Sequence, residues 1–255
     1  MRAILPLTII CLSLILFSCQ KKSKHLDLVD ENELLVEDLS EVEGNARTYN
    51  FDFQILNGFQ KTFYYAPVDI PQALNSIPEE MKDAIHLPNI SSFPFTPGTE
   101  MANVVTFWNT ENKLMFQIQI SYFENADEYH AGNQNFFIIS AASLADNPFI
   151  DTKENDFSMS EKIKNFTTGE IVTYTDLELT PDLPLFFKNL FPNWSAMYAY
   201  YSYDESREPP IKHTSTGSKM YYAWYDGVLF QIGYKFDDDD TTDMESVVRQ
   251  IILGS

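Results

Sequence analysis

The chain has 255 residues, 44% of them hydrophobic, enough to bury a core without disulfide or metal staples. Its 37 acidic residues against 17 basic ones give a net charge of −20. That balance repels polyanions and excludes a nucleic-acid partner.

After Arg2 the chain runs apolar from Ala3 to Phe17. A basic residue, a short apolar stretch and a small residue, Ser18, describe a secretory signal peptide. The run is shorter than the roughly 20 apolar residues that cross a bilayer, and it contains Pro6. An uncleaved anchor would still leave the bulk of the chain outside the cytoplasm. Leu16-Phe17-Ser18-Cys19 resembles the lipobox of bacterial lipoproteins. The resemblance makes residues 1–18 a lipoprotein signal peptide, with cleavage before Cys19 and a diacylglycerol on the Cys19 sulfur. It implies an extracytoplasmic protein whose membrane partner is met through an N-terminal lipid anchor. The membrane would be the bacterial cell membrane, or the outer one where the host has two. Cys11 would leave with the signal and Cys19 be consumed by lipid, so no disulfide is expected.

Residues 19–48 read as the lipidated cysteine and an acidic tether. Lys21, Lys22 and Lys24 adjoin the anchor, and eight acids follow between Asp27 and Glu43. Dense like charge favours a solvated segment, with only a thin apolar stripe from Leu34, Leu35, Leu39 and Val42. A single domain is expected over residues 49–255. Tyr49, Phe51, Phe53 and Ile55 alternate as in a half-buried strand, and Asn57-Gly58 turns the chain into a second strand ending at Tyr65. Pro78-Glu79-Glu80 opens a short helix that Leu87-Pro88 closes. Residues 89–100 form a loop.

Strands are expected at Met101–Trp108, Leu114–Tyr122 and Phe136–Ala141, the first two joined by a turn at residues 109–112. A polar loop or short helix spans residues 146–168, and a strand covers residues 170–175. Pro184 marks the entry to a short helix over Leu183–Leu190. Met197–Tyr203 is a tyrosine-rich strand, and residues 208–218 are a loop containing Pro209-Pro210. Residues 219–225 and 228–236 form a hairpin about Asp226-Gly227, a favoured type I′ pair. Thr242 begins a capping-box pattern, behind which Met244, Val247, Val248, Ile251 and Ile252 fall at helical spacing. The fold class is therefore α+β, a curved antiparallel sheet packed by a few helices including an amphipathic C-terminal helix.

Catalytic signatures are missing. The four histidines, His25, His86, His130 and His213, lie outside ligand spacing of one another, and no cofactor-binding or phosphate-binding glycine motif occurs. A hydrolase with a scattered active site remains the enzymatic alternative, because triads are defined by geometry. The one candidate cation site is Asp237, Asp238, Asp239 and Asp240. Read as an EF-hand it places Thr242 at position six and Val248 at position twelve, where glycine and glutamate belong. Acids preceding a helix also serve its free N–H groups.

Aromatics carry the strongest functional pull. Tyr198, Tyr200, Tyr201, Tyr203, Tyr221, Tyr222, Trp224 and Tyr225 cluster on two strands, and alternation puts them on both faces. One face packs under the C-terminal helix. The other is covered by a second layer or opens as a groove in which Tyr200, Tyr222 and Trp224 would contact a lipid or peptide ligand. The stretch Tyr222–Phe230 followed by the terminal helix resembles the close of uncharacterised domains in bacterial envelope lipoproteins. Those are similar to the half-open barrel of the outer-membrane lipoprotein carrier and the periplasmic sigma-factor regulator. The resemblance implies a curved sheet with helices on its concave side and an apolar cavity. The function expected is binding of an apolar or amphipathic ligand without catalysis. The alternative is an envelope protein–protein interaction or stress-sensing module without a small ligand. If Cys19 carries lipid, Cys19→Ser abolishes incorporation of labelled palmitate and releases the chain from the membrane fraction. A Cys19→Ser chain that still takes up palmitate would remove that anchor.

Overall fold

The computed structural model describes residues 31–45, 61–109, 112–126, 129, 131–132, 134–144, 147, 174–188, 197–236 and 242–254. Two ten-residue strands form its centre, β4 (Thr99–Trp108) and β5 (Leu114–Phe123), paired antiparallel along their whole length. Asn112 makes the tight turn between them at a φ of 61°, and Asn109 Oδ1 accepts the Lys113 N–H at 2.8 Å. Ala102, Val104, Ile118 and Ile120 face one side of this pair, Met101, Val105, Phe107 and Phe123 the other, and all are buried. An antiparallel pair with two apolar faces must be covered twice.

Around it grow β1 (Glu41–Val42), β3 (Lys61–Tyr65), β6 (Phe136–Ser143), β7 (Tyr174–Thr180), β8 (Leu183–Lys188), β11 (Lys219–Tyr225) and β12 (Val228–Lys235). The nine strands run β1-β3-β4-β5-β6-β12-β11-β8-β7, every neighbouring pair antiparallel. The β11–β12 turn falls where expected, with Asp226 and Gly227 at φ of 47° and 75°. The residues read as a short helix from Leu183 are instead strand β8. Leu185 and Phe186 are both buried on opposite faces, which a strand between β7 and β11 allows. Pro184 is accommodated because it pairs opposite Glu178, beside a register shift in β7. Residues 170–173 of the expected strand lie outside the described residues, as do 49–60, 145–146 and 148–168.

One face of the sheet is covered by helices α1 (Ile70–Asn75), α2 (Glu79–Asp83) and α3 (Met244–Leu253), which follow Asp69, Pro78 and Asp243 respectively. Asp69 Oδ1 accepts the Gln72 N–H at 2.7 Å, capping α1, which carries no sequence pattern strong enough to announce it. Asp243 rather than Thr242 caps α3, taking the Ser246 N–H, while the Thr242 hydroxyl donates to the Ser92 carbonyl. Met244, Val248, Ile251 and Ile252 bury against the sheet as their spacing demands. Arg249 clamps the helix in place, donating to Glu245 Oε1 at 2.7 Å and to the Leu179 carbonyl of β7 at 2.8 Å.

The other face carries a three-stranded sheet in the order β2 (Gly44–Asn45), β10 (Ile211–Gly217), β9 (Met197–Tyr203). The loop expected over residues 208–218 is therefore mostly strand. Lys212–Thr216 lacks apolar alternation because only Ile211 at its start is fully buried, yet it pairs with β9 from end to end.

Residues 31–45 correct the expected boundary at residue 49. Glu31–Val36 is a 3₁₀ helix, Leu39 is 8% exposed within the helix-side core, and the Ser40 carbonyl accepts the Ala66 N–H. Glu41-Val42 then pairs with β3 and Gly44-Asn45 with β10, so five residues of chain pass from one sheet to the other. Few of the acids read as tether obstruct this, because docking needs only Leu35, Val36, Leu39 and Val42 to face inward. Leu39→Ala should lower stability by about 2–3 kcal/mol in chemical denaturation. No change would return the segment to a tether.

Candidate functional site

The tyrosines of β9 define how the two sheets meet. Tyr198 and Tyr200 point to one side of the strand and Tyr201 to the other, yet all three are sealed from solvent. A strand lying flat on a sheet buries one side; this one stands on its edge. Its free edge meets β5, where Gln119 Oε1 accepts the Tyr201 N–H at 2.7 Å and Gln119 Nε2 donates to the Tyr201 carbonyl at 2.8 Å. One side-chain amide thus supplies the donor and acceptor that a neighbouring strand would. On one flank the Tyr201 hydroxyl donates to Gln117 at 3.0 Å, and its ring meets Tyr64 edge-on. On the other, Tyr198 and Tyr200 stack with ring centroids 6.2 Å apart, and the Tyr200 hydroxyl accepts the Ala131 N–H at 2.8 Å. Gly233 of β12 makes room for Tyr198, since a Cβ there would lie 2.5 Å from its ring.

Beneath the tyrosines runs a polar row. Asn103, Gln119, Ser140, Gln231 and Tyr222 stand opposite one another across β4, β5, β6, β12 and β11, all buried. Ser140 shares a hydrogen bond with Tyr198 at 3.3 Å, and the Gln231 amide reaches the Tyr222 hydroxyl at 3.4 Å. Tyr200 and Tyr222, 1% and 0% exposed, belong to this interlayer packing, and the half-buried Trp224 donates its indole N–H to the Leu144 carbonyl at 2.9 Å. The structure brings the three together in one apolar cluster, beneath a second layer rather than in an open groove. Burial holds the phenols of Tyr198, Tyr200 and Tyr201 protonated, raising each above its ordinary value, so they act here as neutral hydrogen-bonding groups. Cys19, His25, His130 and Asp237–Asp240 lie outside the described residues. Among the described residues no three His, Cys, Asp or Glu side chains cluster to hold a metal ion.

Open space lies instead on the helix-covered face, at the end of β3, β4 and β5. A cavity of about 530 Å³ is walled by Val36, Phe63, Tyr65, Trp108 and Leu114. Register explains the assembly: Lys61, Trp108 and Leu114 form one cross-strand row, and Phe63 and Thr106 the next. The short helices do not roof these rows, and the 3₁₀ helix ending at Val36 supplies the remaining wall. Thr106 is buried beside the Tyr65 hydroxyl, 3.4 Å away, while Glu41, Lys61 and Asn112 are exposed around it. The Lys61 ammonium lies 4.3 Å from the Phe63 ring centre, a cation–π contact. In the sequence Phe63 and Trp108 are ordinary strand aromatics, because nothing local to them records how far a distant helix extends.

The buried phenols give the fold a sign in pH. Their neutral form is favoured in the folded state, so the stabilisation is complete below pH 10 and is lost as pH rises toward the raised folded values. The unfolded chain then gains about 1.4 kcal/mol per pH unit for each phenol. Tyr221, pushed up to about 12 chiefly by burial and then by Glu245, adds to the effect. Alkaline titration should show a cooperative step in phenolate absorbance coincident with loss of circular dichroism. A smooth titration of every tyrosine near 10 would contradict this packing.

No protein-family model, curated protein or solved structure matches this chain.

Proposed function

We propose that the chain is a lipid-anchored extracytoplasmic binding module that takes the apolar part of an amphipathic ligand into the cavity between Phe63, Tyr65, Trp108 and Leu114. The observation that carries this reading is the cavity itself: about 530 Å³, apolar walls from three strands, a buried hydroxyl and three exposed polar side chains. Small-molecule sites combine those elements at that size. Curvature of the nine-stranded sheet toward its helices, as in the half-open barrel to which the chain's end bears a resemblance, would deepen the pocket at this end. Lys61 suits an anionic head group, and Glu41 and Asn112 suit its hydroxyls or amines. The lipobox-like Cys19 supports placement at a membrane, where such ligands are found.

A second reading, docking of another envelope protein, draws on exposed Leu34, Leu87 and Ile90. Ligand analysis separates the two. Native mass spectrometry of the full chain extracted in detergent should find a co-purifying lipid or peptide, or uptake from host lipid extract. Calorimetry with lauric acid and with a lysophospholipid should give saturable binding that Trp108→Ala weakens at least tenfold, a loss of about 1.4 kcal/mol. Tyr222→Phe, altered in the sealed interlayer, should bind as the parent does. An empty protein from the host that also fails to take up either probe would favour the protein-interaction reading.

A further inference from the structure

The β9–β10 hairpin carries a second concavity, on the opposite side of the nine-stranded sheet from the cavity and unlike it in chemistry. About 430 Å³ in volume, it is lined chiefly by Ser202, Tyr203, Arg207, Lys212, Thr214 and Thr216. Cross-strand register sets the hydroxyls on one surface: Ser202 opposes Lys212, Tyr200 opposes Thr214 and Tyr198 opposes Thr216. They rise on the flank that buries Tyr198 and Tyr200, beyond the sealed rings. Ser202 and Thr214 share a 2.7 Å hydrogen bond, and Ser202 also donates to the Lys212 carbonyl. With the Ser202 proton on that carbonyl, Thr214 donates to Ser202, and the pair offers a ligand's hydroxyls its remaining lone pairs.

Two cations stand beside these hydroxyls in a chain whose net charge is −20. Asp204 fixes one of them, its carboxylate taking the Arg207 Nε–H at 2.6 Å together with the Ser206 N–H and hydroxyl. Arg207 Nε is thereby occupied, while its terminal nitrogens can serve an incoming anion. Lys212 has no ion pair among the described residues. At the strand end Tyr203, which packs on the Tyr201 flank, meets Tyr129 edge-on with ring centroids 6.2 Å apart and borders the groove. Hydroxyls at strand spacing beside two cations, of which Asp204 engages only one, match a sugar that bears an acid. We infer that this groove binds an acidic glycan, with Lys212 and Arg207 receiving its carboxylate or phosphate and Ser202, Thr214 and Thr216 bonding its hydroxyls.

The inference stands apart from the cavity and from the anchor, and its test distinguishes them. The full chain in detergent is titrated with an oligogalacturonate, with its neutral methyl ester and with inorganic phosphate, following binding by calorimetry and saturation-transfer NMR. The acidic oligosaccharide should bind at least tenfold more tightly than the ester. Lys212→Gln should weaken it at least fivefold without moving the melting temperature, and Thr214→Val should weaken the acid and the ester together. Trp108→Ala, in the cavity, should leave it unchanged. Three results would overturn the assignment: no saturable binding at millimolar concentration, equal binding of acid and ester that survives Lys212→Gln, or displacement by phosphate at matching concentration, which marks a simple anion site.

Discussion

A single side-chain amide sets the relation between the two sheets. Gln119 offers the Tyr201 backbone its N–H and its oxygen at 2.8 and 2.7 Å, replacing the strand that would otherwise complete the edge of β9. An exposed strand edge invites pairing with other chains, and a buried one leaves backbone groups at a cost of about 1–3 kcal/mol each. Placing a glutamine in the middle of a fully buried strand removes both problems. It also dictates orientation: a strand whose edge is bonded downward presents its two side-chain faces sideways. Tyr201 then falls over β3 to β5, against Tyr64 and Gln117, and Tyr198 over β6 and β12, against Ser140 and Gly233.

Tyrosine suits that position for a chemical reason. Each flank is an apolar volume with a polar row at its floor, and a phenol fills the volume while its hydroxyl reaches the row. Leucine in place of Tyr198 or Tyr201 would remove the hydrogen bond to Ser140 or Gln117. The same fit disposes of the interlayer as a binding groove. Space that tyrosine rings close cannot be shared with a ligand unless the hairpin lifts and Gln119 loses both bonds. Open space lies where covering elements stop short: the helix-side end of β3, β4 and β5, and the outer flank of the β9–β10 hairpin.

Legibility followed pattern strength. β4, β5, β6, β9, β11, β12 and α3 declare themselves through alternation or helical spacing, and the Asp226-Gly227 turn through residue type. Three segments misled for separate reasons. Leu183–Lys188 contains a proline, which at a strand irregularity is harmless, and it is buried on both faces, so it shows no alternation. Ile211–Gly217 is polar because the hairpin stands proud of the large sheet, exposing much of β10. Residues 31–45 are acidic enough to read as solvated, although docking depends on four apolar side chains among them. The candidate site was half legible. The aromatic surplus pointed to the right strands, but alternation alone does not tell a strand lying flat from one on edge, and that difference decides whether Tyr200 and Tyr222 meet a ligand or each other's neighbours.

The N-terminal segment ties the physical account to the proposed one. Val36 and Glu41 line the cavity, Leu39 enters the core between them, and Glu41–Asn45 links the edge strands of both sheets. Gly44 passes so close to Tyr64 that a Cβ would meet its ring, so the crossing has no slack. Tension applied upstream would enter the domain through the 3₁₀ helix that ends at the cavity wall. If Cys19 carries the anchor, about 12 residues separate it from Glu31, where the 3₁₀ helix begins, a reach of roughly 40 Å when fully extended. The 3₁₀ helix whose last residue, Val36, stands in the cavity wall is then the first described element that the anchor would restrain. A pocket for an amphipathic ligand gains from that placement, because its entrance is held within a chain's length of the surface from which such ligands partition.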